Sequence, residues 1–401
     1  RARRPHPGLE SGVPDFDAVV VGCGPGGNTV AYRLAAAGAR VLLVEREALP
    51  RHKVCGGGLS RKTLRELPVP VTPIVEREVG GAYIAFDGST PIYRSQAGIG
   101  AMVQRSSLDA FMTGKAVKAG ATLWERCSFQ RFEREDGRLA IHTDRGSATT
   151  RVLVGADGVH SKVRKQLYPD ARPLLVPAIE ALLVPAAGVL EQLGGNCIFD
   201  LGVIPAGYGW VFPKRDHLNV GLYRFAKRRD NLVMKVLLER FIGRYRILRE
   251  HREAKVKSFV IPVRPVAARL ARDGVVLVGD AAGVGEAFFG EGIFYAVRSA
   301  NLAASAVLSH LESGASLSAY DRAMWGLRRD LSCSRVLARL FYISPRLGFQ
   351  YGVRTGRIND LFTGVIAGTV TPAVCLATFL LLAPYWLLAR KLVPVRSPLF
   401  D

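Results

Sequence analysis

The chain has 401 residues, 49% of them hydrophobic, a formal net charge of +21 and a mean hydropathy of +0.15. That length and apolar content suffice for two packed domains or one large composite one. A chain both basic and apolar suits a membrane surface better than nucleic acid, and neither aromatic–basic interleaving nor zinc-finger spacing argues otherwise. The cysteines at 23, 55, 127, 197, 333 and 375 form no C-x-x-C pair, so no zinc ribbon, thioredoxin-type motif or metal centre is expected. Their scatter suits a reducing, cytoplasmic interior.

Residues 1–14 are polar and rich in Pro and Gly, with no secretory pattern, and are expected to be a disordered lead-in. Residues 18–21 (AVVV) read as a strand buried on both faces. Gly22, Gly24 and Gly27 follow with the G-x-G-x-x-G spacing, and Gly26 lies between the last two. A helix pattern over 28–37 ends at Gly38, a second buried strand covers 41–44, and Glu45 closes it. Gly22 permits the tight turn, Gly24 lets a pyrophosphate approach the backbone, and Gly27 lets the helix pack on the sheet. The free N–H groups of the helix start face an anion. Glu45 is placed to accept from ribose hydroxyls and suits a free ribose, so the nucleotide is FAD or NAD.

Residues 51–60 (RHKVCGGGLS) hold three consecutive glycines, which fit no regular element and let backbone approach a ligand. Lys53 and Cys55 flank that approach. Cys55 is either a small buried residue, the usual state of a free thiol, or one facing a ligand. A hairpin is expected over 81–94 around Asp87-Gly88. A helix over 107–119 follows, with Ser106 as its cap. Strands at 122–125, 129–134, 139–143 and 148–154, turning at Asp136-Gly137 and Arg145-Gly146, lead into Gly155-Ala156-Asp157-Gly158.

From 168 to 265 the texture changes to short strands at 178–184, 196–201, 209–212 and 218–223 and an amphipathic helix at 232–241, an inserted α+β domain. Its distinctive stretch is 205–214 (PAGYGWVFPK), either an aromatic strand in a core or a wall for an apolar ligand. A further buried strand at 275–278 precedes Gly279-Asp280-Ala281-Ala282-Gly283. Gly290-Glu291-Gly292-Ile293 then opens a long helix to about 311. Asp280 can bind a ribityl or pyrophosphate region. The helix start near Gly292 can face a flavin pyrimidine. Between Asp360 and Arg390 no charged residue occurs, and 374–382 is apolar but for Thr378. A clean span needs roughly 20 apolar residues. With Pro372 and Pro384 in it, 361–389 reads as a membrane-dipping or interfacial segment, or else as a core helix or tunnel lid.

Three nucleotide signatures thus stand in order: GCGPGG with Glu45, GADGVHSKVR, and GDAAG with GEGI. Together they resemble the aromatic-hydroxylase-like class of FAD enzymes. KVCGGGL at 53–59 and YGWVFPK at 208–214 narrow this to the geranylgeranyl reductase family, over about 15–311. The resemblance implies an α/β fold with a Rossmann-like FAD-binding domain (15–167 and 266–312) and an inserted α+β substrate-binding domain (168–265); beyond it, the uncharged run and the basic surplus make 313–401 an expected C-terminal helical, membrane-associated region. The resemblance also implies that Gly22, Gly24, Gly26, Gly27 and Glu45 hold the ADP half of FAD, and that Cys55, Gly56 and Gly58 line the isoalloxazine. Arg105 would pair with phosphate or ribityl oxygens, and Ser128 would make a backbone contact near adenine. Asp157 and Gly158 would touch FAD and the donor's approach, Asp280, Gly292 and Ile293 would hold the flavin end, and Tyr208, Trp210 and Phe212 would line a prenyl tunnel. The chain departs from the family where Pro often precedes G-E-G-I: here Ala287-Phe288-Phe289 stands.

The implied reaction is saturation of C=C bonds in a geranylgeranyl or polyprenyl chain. Electrons would come from NADPH or NADH, or from ferredoxin, and Cys55 or ordered water would give the proton. Two rivals share the cofactor fold: an aromatic-ring monooxygenase, and a non-catalytic FAD-bound membrane protein. The expected partners are an isoprenoid lipid and a membrane surface, with no nucleic acid, on a cytoplasmic protein peripherally or partly attached to the membrane.

Overall fold

The computed structural model describes residues 15–89, 91–135, 137–226, 233–353 and 356–388. The lead-in at 1–14, Asp136 of one expected turn, and Arg390 at the end of the uncharged run lie outside them.

Two eight-stranded sheets organise the fold. In the first, Asp15–Val21 lies between Val41–Val44 and Gly146–Gly155, parallel to both, and Thr122–Trp124 and Val275–Leu277 extend the parallel core outward. Val19, Val20, Leu42, Leu43, Leu153 and Val154 are all fully buried. This is why these strands read as unbroken apolar runs: side chains on both of their faces are buried. Pro25–Ala36 and Ile293–Ser313 pack together on this sheet. The meander of Phe129–Glu135 and Arg138–Thr143 joins it antiparallel, as the turn chemistry predicts.

The second sheet runs His251–Pro262, Leu175–Pro185, Leu218–Arg224, Gly207–Pro213, Asn196–Leu201, Arg77–Phe86, Ile92–Met102, Gly58–Ser60. The strands Gly58–Ser60, Arg77–Phe86 and Ile92–Met102, which the sequence division places with the nucleotide-binding part, hydrogen-bond in this sheet. Asn196–Leu201 pairs in parallel with Arg77–Phe86, and that long-range pairing is invisible in local pattern. The strand His251–Pro262 is a further element that the sequence reading does not find. The hairpin is longer than expected, and both Asp87 (φ 50°) and Gly88 (φ 75°) are left-handed, as a tight turn of this type requires.

Alternation decides what each face of the second sheet does. Ile179, Leu183, Ile198, Val211, Val220 and Leu222 point to a core shared with the helix Met234–Arg244. Ala178, Tyr208, Trp210 and Tyr223 point the other way, toward Phe288, Phe341, Tyr342 and Phe362. The last three stand on the C-terminal helices Trp325–Ile343 and Gly356–Ala367. Among the described residues no helix is long and apolar enough to cross a membrane. The apolar run at 374–382 lies in the helix Pro372–Leu388, where Cys375 is buried in the core and Leu380 and Leu381 are exposed.

Candidate active site

A cavity of about 1150 Å³ opens between the two sheets. That exceeds the roughly 300–1,000 Å³ of a site for one small ligand, so there is room for a dinucleotide and a second molecule. All the expected site residues line it except Gly27, which is buried beside it.

The cradle comes first. Gly22 turns the chain with φ +106°, and a Cβ there would meet the Ala156 carbonyl oxygen at 2.5 Å. A Cβ on Gly27 would lie 1.9 Å from the Gly22 carbonyl oxygen, so only hydrogen permits this helix–strand contact. A Cβ on Gly24 would have no neighbour within 4 Å: the space in front of the helix start is open. The residues therefore fit a pyrophosphate, which needs close backbone and exposed N–H groups. Asp157 Oδ1 is buried without a hydrogen-bond partner among the described residues and also borders this space.

Glu45 is more committed than a ribose ligand alone requires. It accepts from the N–H of Cys23 (3.0 Å) and Glu47 (3.1 Å) and pairs with the Arg51 guanidinium (3.1 Å). Arg51 also pairs with Asp109 (3.1 Å), which in turn takes both arms of Arg105 (3.0 and 2.8 Å). Burial opposes the charge on Arg105, but Asp109 and Cys55 beside it win, and its pKa is raised. Part of the Arg105 fork expected for phosphate oxygens is therefore already spent. Its helix starts at Arg105, not after Ser106, and no side chain caps it.

Two other expectations change in detail. Ser128 lines the cavity, yet its N–H donates to Asp144 Oδ1 (2.8 Å) and its carbonyl accepts from the Asp144 N–H (3.1 Å). Only the second lone pair of that carbonyl is left for a backbone contact. The other Asp157 oxygen takes the N–H of Lys162 (2.7 Å) and Val163 (3.3 Å), so this carboxylate also fixes the following helix.

The glycine loop is held from the second sheet. Lys214 is buried, and its ammonium donates to the carbonyls of Gly56 (2.7 Å) and Val103 (2.9 Å). Burial pulls its pKa down to about 8. Gly57 has φ +65°, and a Cβ there would be 2.1 Å from the Val103 carbonyl oxygen. The Cys55 N–H donates to Glu180 (2.9 Å), whose carboxylate also takes Asn219 Nδ2 (3.1 Å), and Asn219 Oδ1 accepts from Trp210 Nε1 (2.8 Å). Lys53 lies over the Phe259 ring at 3.0 Å. Its pKa falls to about 8 through burial, against the pull of Asp280. The Asp280 carboxyl is itself raised by burial, with Lys53, Arg105 and Arg164 opposing.

Arg51, Asp109, Glu180, Lys214 and Asn219 escape the sequence reading. Glu180 did carry a signal: a lone carboxylate inside the apolar run AIEALLV is a buried charge that needs partners. Lys214 closes the quoted 208–214 stretch.

Tyr208, Trp210 and Phe212 stand in a row, with ring centroids 6.3 and 6.1 Å apart. A Cβ on Gly56 would sit 2.8 Å from the Phe212 ring, so this row abuts the glycine loop. The departure at 287–289 is built in by three tyrosines. Tyr223 donates to the Ala287 carbonyl (2.6 Å), Tyr342 to that of Phe288 (2.8 Å), and Tyr208 to that of Phe289. Glu286 beneath accepts from the N–H of Phe288 (2.6 Å) and Phe289 (2.7 Å) and from the Ser334 hydroxyl. Phe288 and Phe289 thus line the cavity as part of its aromatic end.

A parallel dinucleotide-binding sheet, an open glycine cradle and a second sheet walling a shared cavity define the FAD-binding flavoprotein class. No protein-family model matches the chain. It is 30% identical over 308 residues to geranylgeranyl diphosphate reductase of Rhodobacter capsulatus, covering 75% of this chain and 76% of that one. It is 32% identical over 316 residues to digeranylgeranylglycerophospholipid reductase of Methanothrix thermoacetophila, covering 74% and 79%. The crystal structure of a geranylgeranyl bacteriochlorophyll reductase-like protein from Thermoplasma acidophilum shares the fold, with TM-score 0.75 and 24% identity over 92% of this chain and 96% of that one. The chain belongs to the geranylgeranyl reductase family.

Proposed function

We propose that this chain is an FAD-dependent oxidoreductase that saturates C=C bonds of a geranylgeranyl or polyprenyl chain carried by a lipid, quinone or chlorophyll-type precursor. The carrying observation is continuity: one cavity runs from the nucleotide cradle to an aromatic slot, with the loop of Cys55, Gly56, Gly57 and Gly58 at the join. Reduced FAD supplies hydride when bound there. An isolated trisubstituted alkene has no carbonyl to take up charge, so a proton has to reach its other carbon almost in concert. The residues serve that need. Tyr208, Trp210 and Phe212 keep water out and hold the alkene close. Glu180, Asn219 and Lys214 fix the loop that presents Cys55. Cys55, or a water it orders, gives the proton.

The test is reconstitution with FAD and reduction by NADPH, NADH or reduced ferredoxin in parallel, followed by mass spectrometry of a geranylgeranyl substrate. Gains of hydrogens in pairs are expected, and Cys55→Ser should keep flavin and lose most of the gain. Oxygen-dependent consumption of the donor without saturated product would instead identify a monooxygenase. Flavin that no donor reduces would leave a non-catalytic flavin-bound protein.

We infer as well that the C-terminal helices meet a membrane surface from the cytoplasmic side. Trp325 (66%), Ile343 (80%) and Leu381 (78%) are exposed apolar residues on this part of the chain, and Arg329 stacks over Trp325 at 5.3 Å. Apolar anchors beside basic residues are what an interfacial surface requires.

A further inference from the structure

Most charged groups in the cavity are spoken for. Arg51 faces Glu45 and Asp109, Arg105 faces Asp109, Lys214 faces carbonyls, and Glu291 faces Lys62 at 2.7 Å. Arg94 differs. It lines the cavity from the strand Ile92–Met102, and its side chain, half-buried, has no hydrogen bond or ion pair among the described residues; its Nε is buried and unpartnered. Leaving a buried donor of a charged group unmatched is costly; Arg138, Arg164 and Arg328 also carry such a nitrogen, but among these Arg94 alone lines the cavity, where a ligand can reach it.

Register shows where Arg94 stands. It is paired with Ala82, and Ala82 with Cys197 on the next strand; Phe212 follows in the same row. Three strand spacings of about 4.8 Å put Arg94 roughly 14 Å from Phe212, the ring that abuts Gly56. The row between them is apolar. Just beyond Arg94 the pairing breaks. Gly81 faces Ser95 while Val79 faces Gly100, so two steps on one strand match five on the other. Bulges of this kind cluster beside active sites, where they re-aim the edge. Ser95 is exposed and lines the cavity, which therefore reaches solvent at this edge.

We propose that Arg94 anchors a phosphoryl group at the head of the isoprenoid chain, so that the chain runs along the apolar row and places its distal double bonds at the Cys55–Gly58 loop. This rests on the prenyl-reductase reading and narrows it to phosphorylated substrates. A guanidinium suits phosphoryl oxygens because its fork makes paired, charge-assisted hydrogen bonds. Fixing the head sets how far along the chain reduction extends.

The test compares wild type with Arg94→Gln and Arg94→Lys, all loaded with FAD. The ligands are geranylgeranyl diphosphate, a geranylgeranyl glycerophospholipid in detergent, and geranylgeraniol, which carries no charge. Arg94→Gln should bind at least one phosphorylated ligand about tenfold more weakly or worse, bind geranylgeraniol within about twofold of wild type, and keep its flavin. Arg94→Lys should recover part of the loss, and high salt should weaken wild type toward the variant. Loss confined to the diphosphate identifies a free diphosphate head, and loss confined to the lipid identifies a phospholipid. Equal loss for the alcohol, or no loss for either phosphorylated ligand, overturns the anchor alone. A wild type that binds none of the three overturns the reductase reading along with it.

Discussion

Lys214 and Gly56 lie 158 residues apart in sequence, and the Lys214 ammonium donates to the Gly56 carbonyl at 2.7 Å. A cation at the end of an aromatic strand thus holds the glycine loop that lines the cavity. Burial lowers its pKa to about 8, against the pull of Glu76 and Glu180 among others, and its protons are met by carbonyl oxygens.

Lys214→Met fills similar volume and leaves the Gly56 and Val103 carbonyls unmatched. A loss of about 1–3 kcal/mol is expected from those orphaned acceptors, with weaker FAD retention because the loop is released. Thermal melts with and without FAD read both. A variant with wild-type flavin affinity would show that the loop holds its shape without the lysine.

Glu45→Gln removes the charge facing Arg51 and replaces one of the two carboxylate oxygens proposed to accept from ribose by an NH₂ donor. Flavin binding should weaken by roughly 1.5–3 kcal/mol, the range for charge-assisted bonds. The check is flavin absorbance per mole of purified protein, with the wild type yellow and the variant paler.

Trp210→Ala should act twice. The side chain is buried, with 7% exposure, and its Nε1 supports Asn219, so truncation should cost ~3–5 kcal/mol of stability. It also walls the cavity, so the folded fraction should lose affinity for long prenyl chains, at about 0.8 kcal/mol per CH₂ no longer buried. Unchanged affinity for every chain length, with a lower melting temperature, would reduce Trp210 to packing.

Glu286 sets a pH dependence. Burial raises its carboxyl from 4.5 to about 7, against two N–H donors. A raised acid holds its proton longer in the folded state. Stability should therefore fall as pH rises from about 4.5 to 7 and stay lower above that, by on the order of 3 kcal/mol in all. Glu286→Gln cannot ionise, so its melting temperature should gain on the wild type between pH 5 and pH 8. Parallel curves would refute the shift.

Membrane attachment is best tested without deleting the last helix, because Cys375 within it is buried in the core. Leu380→Ser with Leu381→Ser alters only exposed positions, and should move protein from the membrane pellet to the supernatant. High salt should do the same to wild type in part, by screening basic contacts. A wild type found entirely in the supernatant without salt or detergent would end the idea.

Local chemistry was legible in the sequence. Gly22, Gly24, Gly27 and Glu45 act within one strand–turn–helix–strand unit, so spacing alone sets their geometry. The alternation of Tyr208, Trp210 and Phe212 likewise follows from the two-residue period of a strand, and the structure puts all three in one cavity. What the tertiary structure alone decided is who meets whom across the chain. Glu180 reaches Cys55, Lys214 reaches Gly56 and Arg51 reaches Asp109 only because sheet register and the packing of the two sheets bring them together. Whether an acid or a cation is spent on a neighbour or left for a ligand depends on those encounters. Arg105, with its charge matched by Asp109, and Arg94, with none, read alike in the sequence and differ only in what the fold sets beside them.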